Sequence, residues 1–302
     1  MNVADLKGKV AVITGAGSGF GREFARLGAR HGMRLVLVDV QSDALDAVRE
    51  ELEAAGAQVM ARRVDVSDGG QMDALADEVQ TAWGDVHLLF NNAGVGSAGL
   101  IWENSARDWE WTLGVNLWGV IHGVRAFVPR MLKAAAASPD YRAHVVNTAS
   151  MAGLLNPPAS GVYNVSKHAV VALTETLYHD LSLVTQQVGC SVLCPYYVPT
   201  GIHESQRNRP GALANDAPPT PSQRVAQAMV SKAVTSGKVS AAQVAQATFD
   251  AIAQGRFYIV SHPQALTAVQ ARAEDIVALR NPADPFAQRP GVRDSLVQAL
   301  RQ

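Results

Sequence analysis

The apolar run Lys9-Val-Ala-Val-Ile-Thr14 leads directly into a glycine-rich turn, Gly15-Ala-Gly-Ser18-Gly19-Phe20-Gly21. The run is short and rich in β-branched residues, which is typical of a buried parallel strand. After the turn, residues 22–31 carry apolar side chains at helical spacing. A strand, a glycine turn and a helix in this order predict a nucleotide-binding unit, because the glycines let the backbone approach a pyrophosphate at the helix N-terminus. A glycine-rich surface loop is the alternative interpretation.

The second predicted strand, residues 34–38, ends at Asp39, which lies 24 residues beyond the first glycine of the turn. A carboxylate here can accept hydrogen bonds from an adenosine ribose and repels the additional phosphate of NADP, so it favours NAD. NADP stays possible, since Arg62 or Arg63 could lie near the adenine end. An acidic residue at a strand end is also a common helix cap.

The next unit is predicted as a helix over residues 42–56 and a strand over residues 58–64, followed by Asp65 and Val66. In a nucleotide-binding sheet, these two residues would lie beside the adenine. Asp65 could equally cap the helix that begins near Asp68. The sequence leaves both roles open.

A fourth apolar strand, residues 86–90, is followed by Asn91-Asn92-Ala93-Gly94. Small and amide residues at the carboxyl end of a central strand line the crevice where doubly wound sheets bind ligands. Helices then continue to alternate with strands, which are expected at residues 143–148, 188–195 and 257–260. This alternation predicts an α/β protein with a doubly wound parallel sheet, helices on both faces and a single domain over residues 1–302.

The stretch Tyr163-Asn-Val-Ser-Lys167 places a phenol and an ammonium four residues apart, so both fall on one side of an α-helix. A phenol releases its proton near pH ~10, and a neighbouring ammonium favours the phenolate. The pair could therefore protonate a ketone or deprotonate an alcohol. Because the pattern is common by chance, an exposed packing pair is the alternative.

Three ordered motifs together resemble the short-chain dehydrogenase/reductase family, whose members have a Rossmann fold. The motifs are Thr14-Gly15-x-x-x-Gly19-x-Gly21, Asn91-Asn92-Ala93-Gly94 and Tyr163-x-x-x-Lys167. The resemblance implies an NAD(P)-dependent enzyme that transfers a hydride between nicotinamide and an alcohol or ketone. It also implies that Tyr163 is the general acid/base, and that Lys167 lowers the tyrosine pKa and holds the nicotinamide ribose.

Other positions match the pattern of the same family. Ser150 precedes Tyr163 by 13 residues, as the catalytic serine of the family does, and Asn116 matches its proton-relay asparagine. The segment from Pro195 to Thr200 resembles the one that holds the nicotinamide carboxamide, with Tyr196 in place of the usual glycine. The cofactor contacts implied are Gly15, Ser18, Gly19, Phe20, Gly21, Asp39, Asp65, Val66, Asn92, Ala93, Gly94, Tyr163, Lys167, Pro195, Val198 and Thr200.

Residues 201–237, which we call the lid, are rich in Pro, Asn, Gln and Ser. A loop of this length in a compact domain is usually a functional lid or disordered, and in the family this region covers the substrate. Contacts to a hydrophobic or aromatic secondary alcohol or ketone are expected from Ser150, Leu155, Tyr163 and Tyr196. Residues 261–302 are expected to form a C-terminal extension, with a helix over residues 266–280 and then a tail.

Two other functions remain open from the sequence. A 3-oxoacyl-type reductase of lipid synthesis would share the fold, although beyond Arg207 and Arg209 no basic patch near the lid favours a carrier protein. A regulator that senses dinucleotides without turnover would also share it. Such a regulator would not need to retain Ser150, Tyr163 and Lys167.

The composition bounds the remaining classes of partner. A formal net charge of −1, with no long run of like charge, gives no electrostatic basis for binding nucleic acid or an anionic membrane. Neither a secretory signal nor a membrane-spanning stretch is apparent, which predicts a cytoplasmic protein. Cys190 and Cys194 would lie about 13 Å apart on one strand, too far for a disulfide, and no metal is expected. As in the family, a homodimer or homotetramer is expected.

Overall fold

The computed structural model describes residues 3–287 and 290–301, and a seven-stranded parallel sheet lies at its centre. The spatial order of the strands is β3-β2-β1-β4-β5-β6-β7. Their bounds are β1 Val10–Thr14, β2 Arg34–Asp39, β3 Gln58–Arg63, β4 Val86–Asn91, β5 Ala143–Thr148, β6 Val188–Cys194 and β7 Tyr258–Val260. The predicted doubly wound Rossmann sheet is confirmed.

Helices cover both faces of this sheet. Along the chain they are α1 Gly19–Arg30, α2 Ser42–Ala54, α3 Gly69–Trp83, α4 Ala106–Leu113, α5 Gly119–Ala137, α6 Gly161–Val184, α7 Pro221–Thr235, α8 Ala241–Gln254, α9 Leu266–Val277 and α10 Pro290–Leu300. Strand side chains alternate between the two faces, so Val10 and Val12 pack in one core, whereas Ala11 and Ile13 pack in the other. Burial on both faces explains why the strands read as continuous apolar runs.

The order of the strands reverses at β1, which pairs with β2 on one side and with β4 on the other. The helices that follow β1 and β4 therefore leave the sheet in opposite directions, which opens a crevice at the carboxyl ends of these strands. Thr14 ends β1 and Asn91 ends β4, so the glycine turn and the Asn-Asn-Ala-Gly motif both lie at this crevice.

The chain between β4 and β5 does not form one continuous helix. Between α4 and α5, Gly114–Trp118 form a widened π-helical turn, with Asn116 fully buried inside it. A π turn inserts one extra residue into the helix, and such turns occur frequently at functional sites. Hydrophobic periodicity does not reveal the insertion, because the apolar face continues on both sides of it.

The lid differs from the expected loop. Two short 3-10 segments, Gly201–Asn208 and Gly211–Leu213, precede the 15-residue helix α7. This helix begins with a capping box, in which Thr220 and Gln223 satisfy each other's backbone N–H groups, and Pro221 occupies its first turn. The Pro-rich composition led to the wrong prediction of a loop here, although the capping box was visible in the sequence.

The C-terminal extension is also more regular than the expected tail. Helix α9 ends at Val277, and helix α10 packs against α7 of the lid, with Leu296 buried. Within the described residues, no helix is long and apolar enough to cross a membrane. No group of His, Cys, Asp or Glu suited to hold a metal occurs in that same part of the chain, and both cysteines are buried free thiols.

Candidate active site

A cleft of about 570 Å³ opens at the carboxyl ends of β1 and β4, and the glycine turn forms one of its walls. Gly15 and Gly19 have positive φ angles of +66° and +52°, which other residues adopt only with strain. A Cβ on Gly21 would overlap the carbonyl oxygen of Gly15. The turn can therefore form only with glycine at these positions. It leaves the N-terminus of α1 facing the cleft.

The Asn-Asn-Ala-Gly motif is tied to the glycine turn through Thr14. The backbone N–H groups of Asn92 and Ala93 donate to Thr14 Oγ1 at 2.9 and 3.0 Å, and Asn92 Nδ2 donates to the Thr14 carbonyl at 2.9 Å. Asn91 Nδ2 donates to Asn147 Oδ1 at 2.9 Å, which links β4 to β5. These bonds fix the walls of the cleft at the switch point of the sheet.

Asp39 lines the cleft at the carboxyl end of β2. Its carboxylate accepts the N–H of Gly17 at 2.9 Å and the N–H of Gln41 at 3.0 Å, so it stabilises the turn as well as facing the cleft. Arg62, one of the two candidates for a counter-charge, instead forms an ion pair with Glu78. The other candidate, Arg63, donates to the Val40 carbonyl at 3.1 Å.

The two roles left open for Asp65 are now separated. Asp68, not Asp65, caps α3, since its side chain accepts the N–H of Gln71 at 3.1 Å. Asp65 accepts from the backbone and hydroxyl of Ser67 at 2.9 and 2.7 Å, and it lines the cleft together with Val66. The helix-cap interpretation of Asp65 is wrong, whereas its place beside the cleft agrees with the adenine interpretation.

Tyr163 and Lys167 line the same cleft from the first turns of α6. Lys167 Nζ lies 5.7 Å from the centre of the Tyr163 ring and donates to the Thr148 carbonyl at 2.9 Å. Burial raises the pKa of Tyr163 to about 12, although the Ser150 hydroxyl partly opposes this rise. Burial also lowers the pKa of Lys167 to about 8.

These shifts correct one expectation from the sequence. The lysine was expected to draw the tyrosine pKa toward neutrality, but burial is the largest influence on both groups, and it raises the pKa of Tyr163 and lowers the pKa of Lys167. The phenol therefore holds its proton at neutral pH.

The buried Asn116 amide joins this group from the π turn. Its Oδ1 accepts the N–H of Val95 at 2.8 Å, and its Nδ2 donates to the Val95 carbonyl at 3.0 Å and to Ser166 Oγ at 3.1 Å. A Cβ on Gly94 would lie 3.4 Å from Asn116 Oδ1 and 3.5 Å from Lys167 Nζ. Both polar atoms therefore lie beside Gly94, within a few ångströms of each other.

Ser150 follows β5 and faces Tyr163 from the opposite side of the site. Its hydroxyl accepts the N–H of Ala152 at 3.1 Å and donates to the Pro195 carbonyl at 3.3 Å. Pro195 and Thr200 line the cleft, and Thr200 packs against Gly19 of the glycine turn. Val198 is buried just behind this wall.

Of the two adjacent tyrosines of this segment, the sequence predicts a substrate contact only for Tyr196. Tyr196 is 44% exposed and packs edge-on against His262, so its ring faces the surface. Tyr197 is the more deeply buried of the two, and its phenol lies close enough to raise the pKa of Tyr163 slightly. Tyr197 is therefore the aromatic group beside the reacting centre that sequence reasoning missed, and Leu155 packs in the apolar cluster behind Ser150.

The lid is fastened to α4 by a buried ion pair. Arg209 Nη1 lies 2.6 Å from Asp108 Oδ1, with the side chains only 8% and 10% exposed, and the guanidinium lies over the ring of Trp111. Burial opposes ionisation of Asp108, but hydrogen bonds from Arg209, Ser105 and Asn215 lower its pKa overall. This ion pair ties the lid to α4.

The cleft fits a nicotinamide dinucleotide in volume and in donor chemistry. Lys167 Nζ has three N–H donors, and Thr148 is its one hydrogen-bond acceptor among the described residues, so two donors remain for ligand hydroxyls such as those of a ribose. The glycine turn leaves room for a pyrophosphate at the N-terminus of α1. A volume of about 570 Å³ is within the range of cofactor sites.

A parallel sheet with a glycine turn at its switch point defines a nucleotide-binding α/β protein. The family model for short chain dehydrogenases matches residues 9–211. A solved short-chain dehydrogenase/reductase from Burkholderia phymatum, in complex with NAD, is 57% identical, with a TM-score of 0.90 over 94% of this chain and 99% of that one.

Two curated relatives match nearly the whole chain. A CLA biosynthesis dehydrogenase/reductase from Lactiplantibacillus plantarum is 32% identical over 276 residues, which are 90% of this chain and 94% of the relative. A 1-deoxy-11-beta-hydroxypentalenate dehydrogenase from Streptomyces avermitilis is 33% identical over 273 residues, 90% and 91% of the two chains. The chain belongs to the short-chain dehydrogenase/reductase family, as its motifs indicated.

Proposed function

We propose that the protein is an NAD-dependent oxidoreductase acting on a hydrophobic or aromatic secondary alcohol or the matching ketone. The observation that carries this proposal is the convergence of Ser150, Tyr163, Lys167 and Asn116 beside the cleft formed by the glycine turn. When bound, the nicotinamide supplies the hydride acceptor or donor. The residues of this chain supply position and proton handling.

Each side chain has a role that follows from its contacts. Tyr163 gives a proton to the ketone oxygen in reduction and takes it from the alcohol in oxidation, and Ser150 donates a hydrogen bond to the same oxygen. Lys167 holds the nicotinamide ribose with its two remaining donors and, as an ammonium, stabilises the phenolate once it forms. Asn116 Oδ1 and Lys167 Nζ both lie near Gly94, and Asn116 is hydrogen-bonded to Val95 and Ser166.

Two observations support NAD over NADP. Asp39 faces the adenosine end with a carboxylate that would repel a 2′-phosphate, and Arg62 is engaged by Glu78. The relative from Burkholderia phymatum was crystallised with NAD and retains 57% identity. NADP is the less favoured cofactor, and Arg63 and Arg207 are positive charges near that end.

The lining of the cleft supports an apolar substrate. Val95 and Ile202 line the same cleft as Tyr163, and their side chains are apolar. Arg209 is committed to Asp108, so the lid does not offer the pair of free arginines that a phosphorylated carrier would require. This favours a small hydrophobic alcohol or ketone over an acyl-carrier substrate.

The test is to incubate purified protein with NAD or NADP and a panel of aliphatic, aryl and steroid secondary alcohols, following the formation of reduced nicotinamide. Oxidation of apolar members with NAD supports the proposal. Turnover restricted to the reverse reaction on 3-oxoacyl thioesters would support the lipid-synthesis reductase instead. Silence with every substrate and both cofactors, together with intact dinucleotide binding, would support a regulator.

We also propose a homodimer or homotetramer that associates through the long helices. Trp118 is 50% exposed just before α5, and Val165 and Tyr178 are exposed on α6. Covering such apolar side chains in an interface is favourable. Light scattering on a sizing column measures the mass directly, and a monomer at micromolar concentration would contradict this proposal.

A further inference from the structure

Arg207 of the lid lies at the mouth of the cleft. From Thr200, the segment Gly201–Asn208 runs back over the cleft, and Arg207 Nη1 donates to the Gly201 carbonyl at 2.8 Å. Its Nε donates to the Gln41 side chain at 3.3 Å, two residues beyond Asp39. The guanidinium therefore links the lid, at Gly201, to the residues that follow β2, at Gln41.

Neighbouring contacts locate this guanidinium relative to the glycine turn. A Cβ on Gly19 would lie 3.3 Å from Thr200 Cβ, and a Cβ on Gly201 would lie 2.9 Å from Arg207 Nη2. The glycine turn, Thr200, Gly201 and the guanidinium thus follow one another around the mouth of the cleft. Arg207 and the N-terminus of α1 face the same space, where a pyrophosphate would rest.

The residues that line the cleft offer few positive charges to balance a pyrophosphate. A pyrophosphate in a dinucleotide carries about two negative charges, whereas a helix N-terminus supplies only about half a positive charge. Among the described residues that line the cleft, Lys167 and Arg207 are the two lysine or arginine side chains, and Lys167 is buried beside Tyr163. Within the described part of the chain, one carboxylate lies within 4 Å of Arg207, that of the exposed Glu204 at 3.8 Å, and it is a weak competitor.

We propose that Arg207 is a cofactor-binding residue, whose guanidinium donates charge-assisted hydrogen bonds to the pyrophosphate of the bound dinucleotide. The inference rests on the proposed dinucleotide-dependent function. Two residues further along, Arg209 fastens the lid to Asp108, so the lid presents Arg207 to the cleft before any ligand arrives. Dinucleotide binding and the order of the first lid turns are therefore coupled through one side chain.

The test measures dissociation constants for NADH, ADP-ribose and adenosine by calorimetry, with the intact chain and the variants Arg207→Ala and Arg207→Lys. Arg207→Ala is expected to weaken NADH and ADP-ribose about tenfold and adenosine less than about twofold, because only the first two carry the pyrophosphate. Arg207→Lys keeps the charge but not the fork of donors, so its loss is intermediate. The matched control is Arg30→Ala, an exposed arginine at the far end of α1, about 16 Å along the helix from Gly19, which changes no constant.

Hydrogen exchange supplies a second readout that does not depend on activity. ADP-ribose is expected to protect residues 201–208 in the wild-type chain and not in Arg207→Ala. Unchanged dissociation constants, or equal weakening of adenosine, would overturn the pyrophosphate contact. A wild-type chain that binds neither NADH nor NADPH would instead remove the proposed function, so the two failures are distinguishable.

Discussion

The glycine turn and the lid border the same cleft, but they are built in opposite ways. The turn is fixed by sterics within a few residues, since a Cβ on Gly21 would overlap the Gly15 carbonyl. The lid is fixed by partners about a hundred residues away, namely Asp108 for Arg209 and Glu103 for Thr220 and Ser222. A motif in the sequence can specify the first kind of structure but not the second.

The same difference separates the residues that handle protons from the residues that would select the ligand. The side chains assigned to proton handling lie on α6, in the π turn or directly after β5, and these segments are anchored in the core of the sheet. The groups that would contact a substrate body or a phosphate from above lie on the lid. We expect changes in the first region to affect turnover or folding, and changes in the lid to affect binding and local opening.

The largest effect is expected from Tyr163→Phe, which removes the hydroxyl that exchanges the proton and leaves the ring in place. Turnover should fall by about 10³-fold or more, whereas the dissociation constant for NADH changes less than about threefold. Steady-state kinetics and calorimetry measure the two quantities. Tyr178→Phe, an exposed tyrosine on the same helix, is the matched control and should retain full activity. Near wild-type turnover in Tyr163→Phe would show that another group is the acid.

Next in size is Gly21→Ala, because its Cβ has no space beside Gly15. The free energy of unfolding should fall by about 3 kcal/mol, and dinucleotide binding should weaken with it. The matched variant in the lid is Gly211→Ala, where a Cβ meets nothing within 4 Å and the change should stay within about 0.5 kcal/mol. Denaturant unfolding compares the two, and equal losses would show that the lid is as tightly constrained as the turn.

The extent to which the sequence foretold the structure follows the same division. The strand-turn-helix unit, the Asn-Asn-Ala-Gly motif and the Tyr163–Lys167 pair lie where predicted, because each depends on local geometry. Helix α7 carried a readable signal in Thr220-Pro-Ser-Gln223, but the prolines around it favoured a loop. The exposure of Tyr196 and the deeper burial of Tyr197 could not be foreseen, since the path of the backbone after Pro195 depends on contacts with Ser261 and His262.

A smaller effect is expected when the lid is unfastened by Arg209→Met. Breaking the pair leaves Asp108 buried without its cation, which should favour opening of the lid by about 2 kcal/mol while the sheet is unaffected. Hydrogen exchange should accelerate over residues 201–216 and not over α1, and KM for the alcohol should rise more than kcat falls. The double variant Asp108→Leu/Arg209→Met should recover much of the protection, because an apolar pair replaces the buried charges. Uniform loss of protection across the sheet would show that the lid and the core unfold together.

The smallest effect concerns Asp39, where the two regions meet, since its carboxylate holds Gly17 of the turn and lies near Gln41, the partner of Arg207. Asp39→Asn keeps a hydrogen-bond acceptor for Gly17 but loses the charge, whereas Asp39→Ala loses both. If charge repulsion alone disfavours NADP, both variants should narrow the ratio of kcat/KM for NAD over NADP about tenfold. If the carboxylate acts chiefly by shaping the turn, only Asp39→Ala should change binding, and it should weaken both cofactors alike. Selectivity that is unchanged in both variants would remove Asp39 from cofactor choice and leave that choice to the lid.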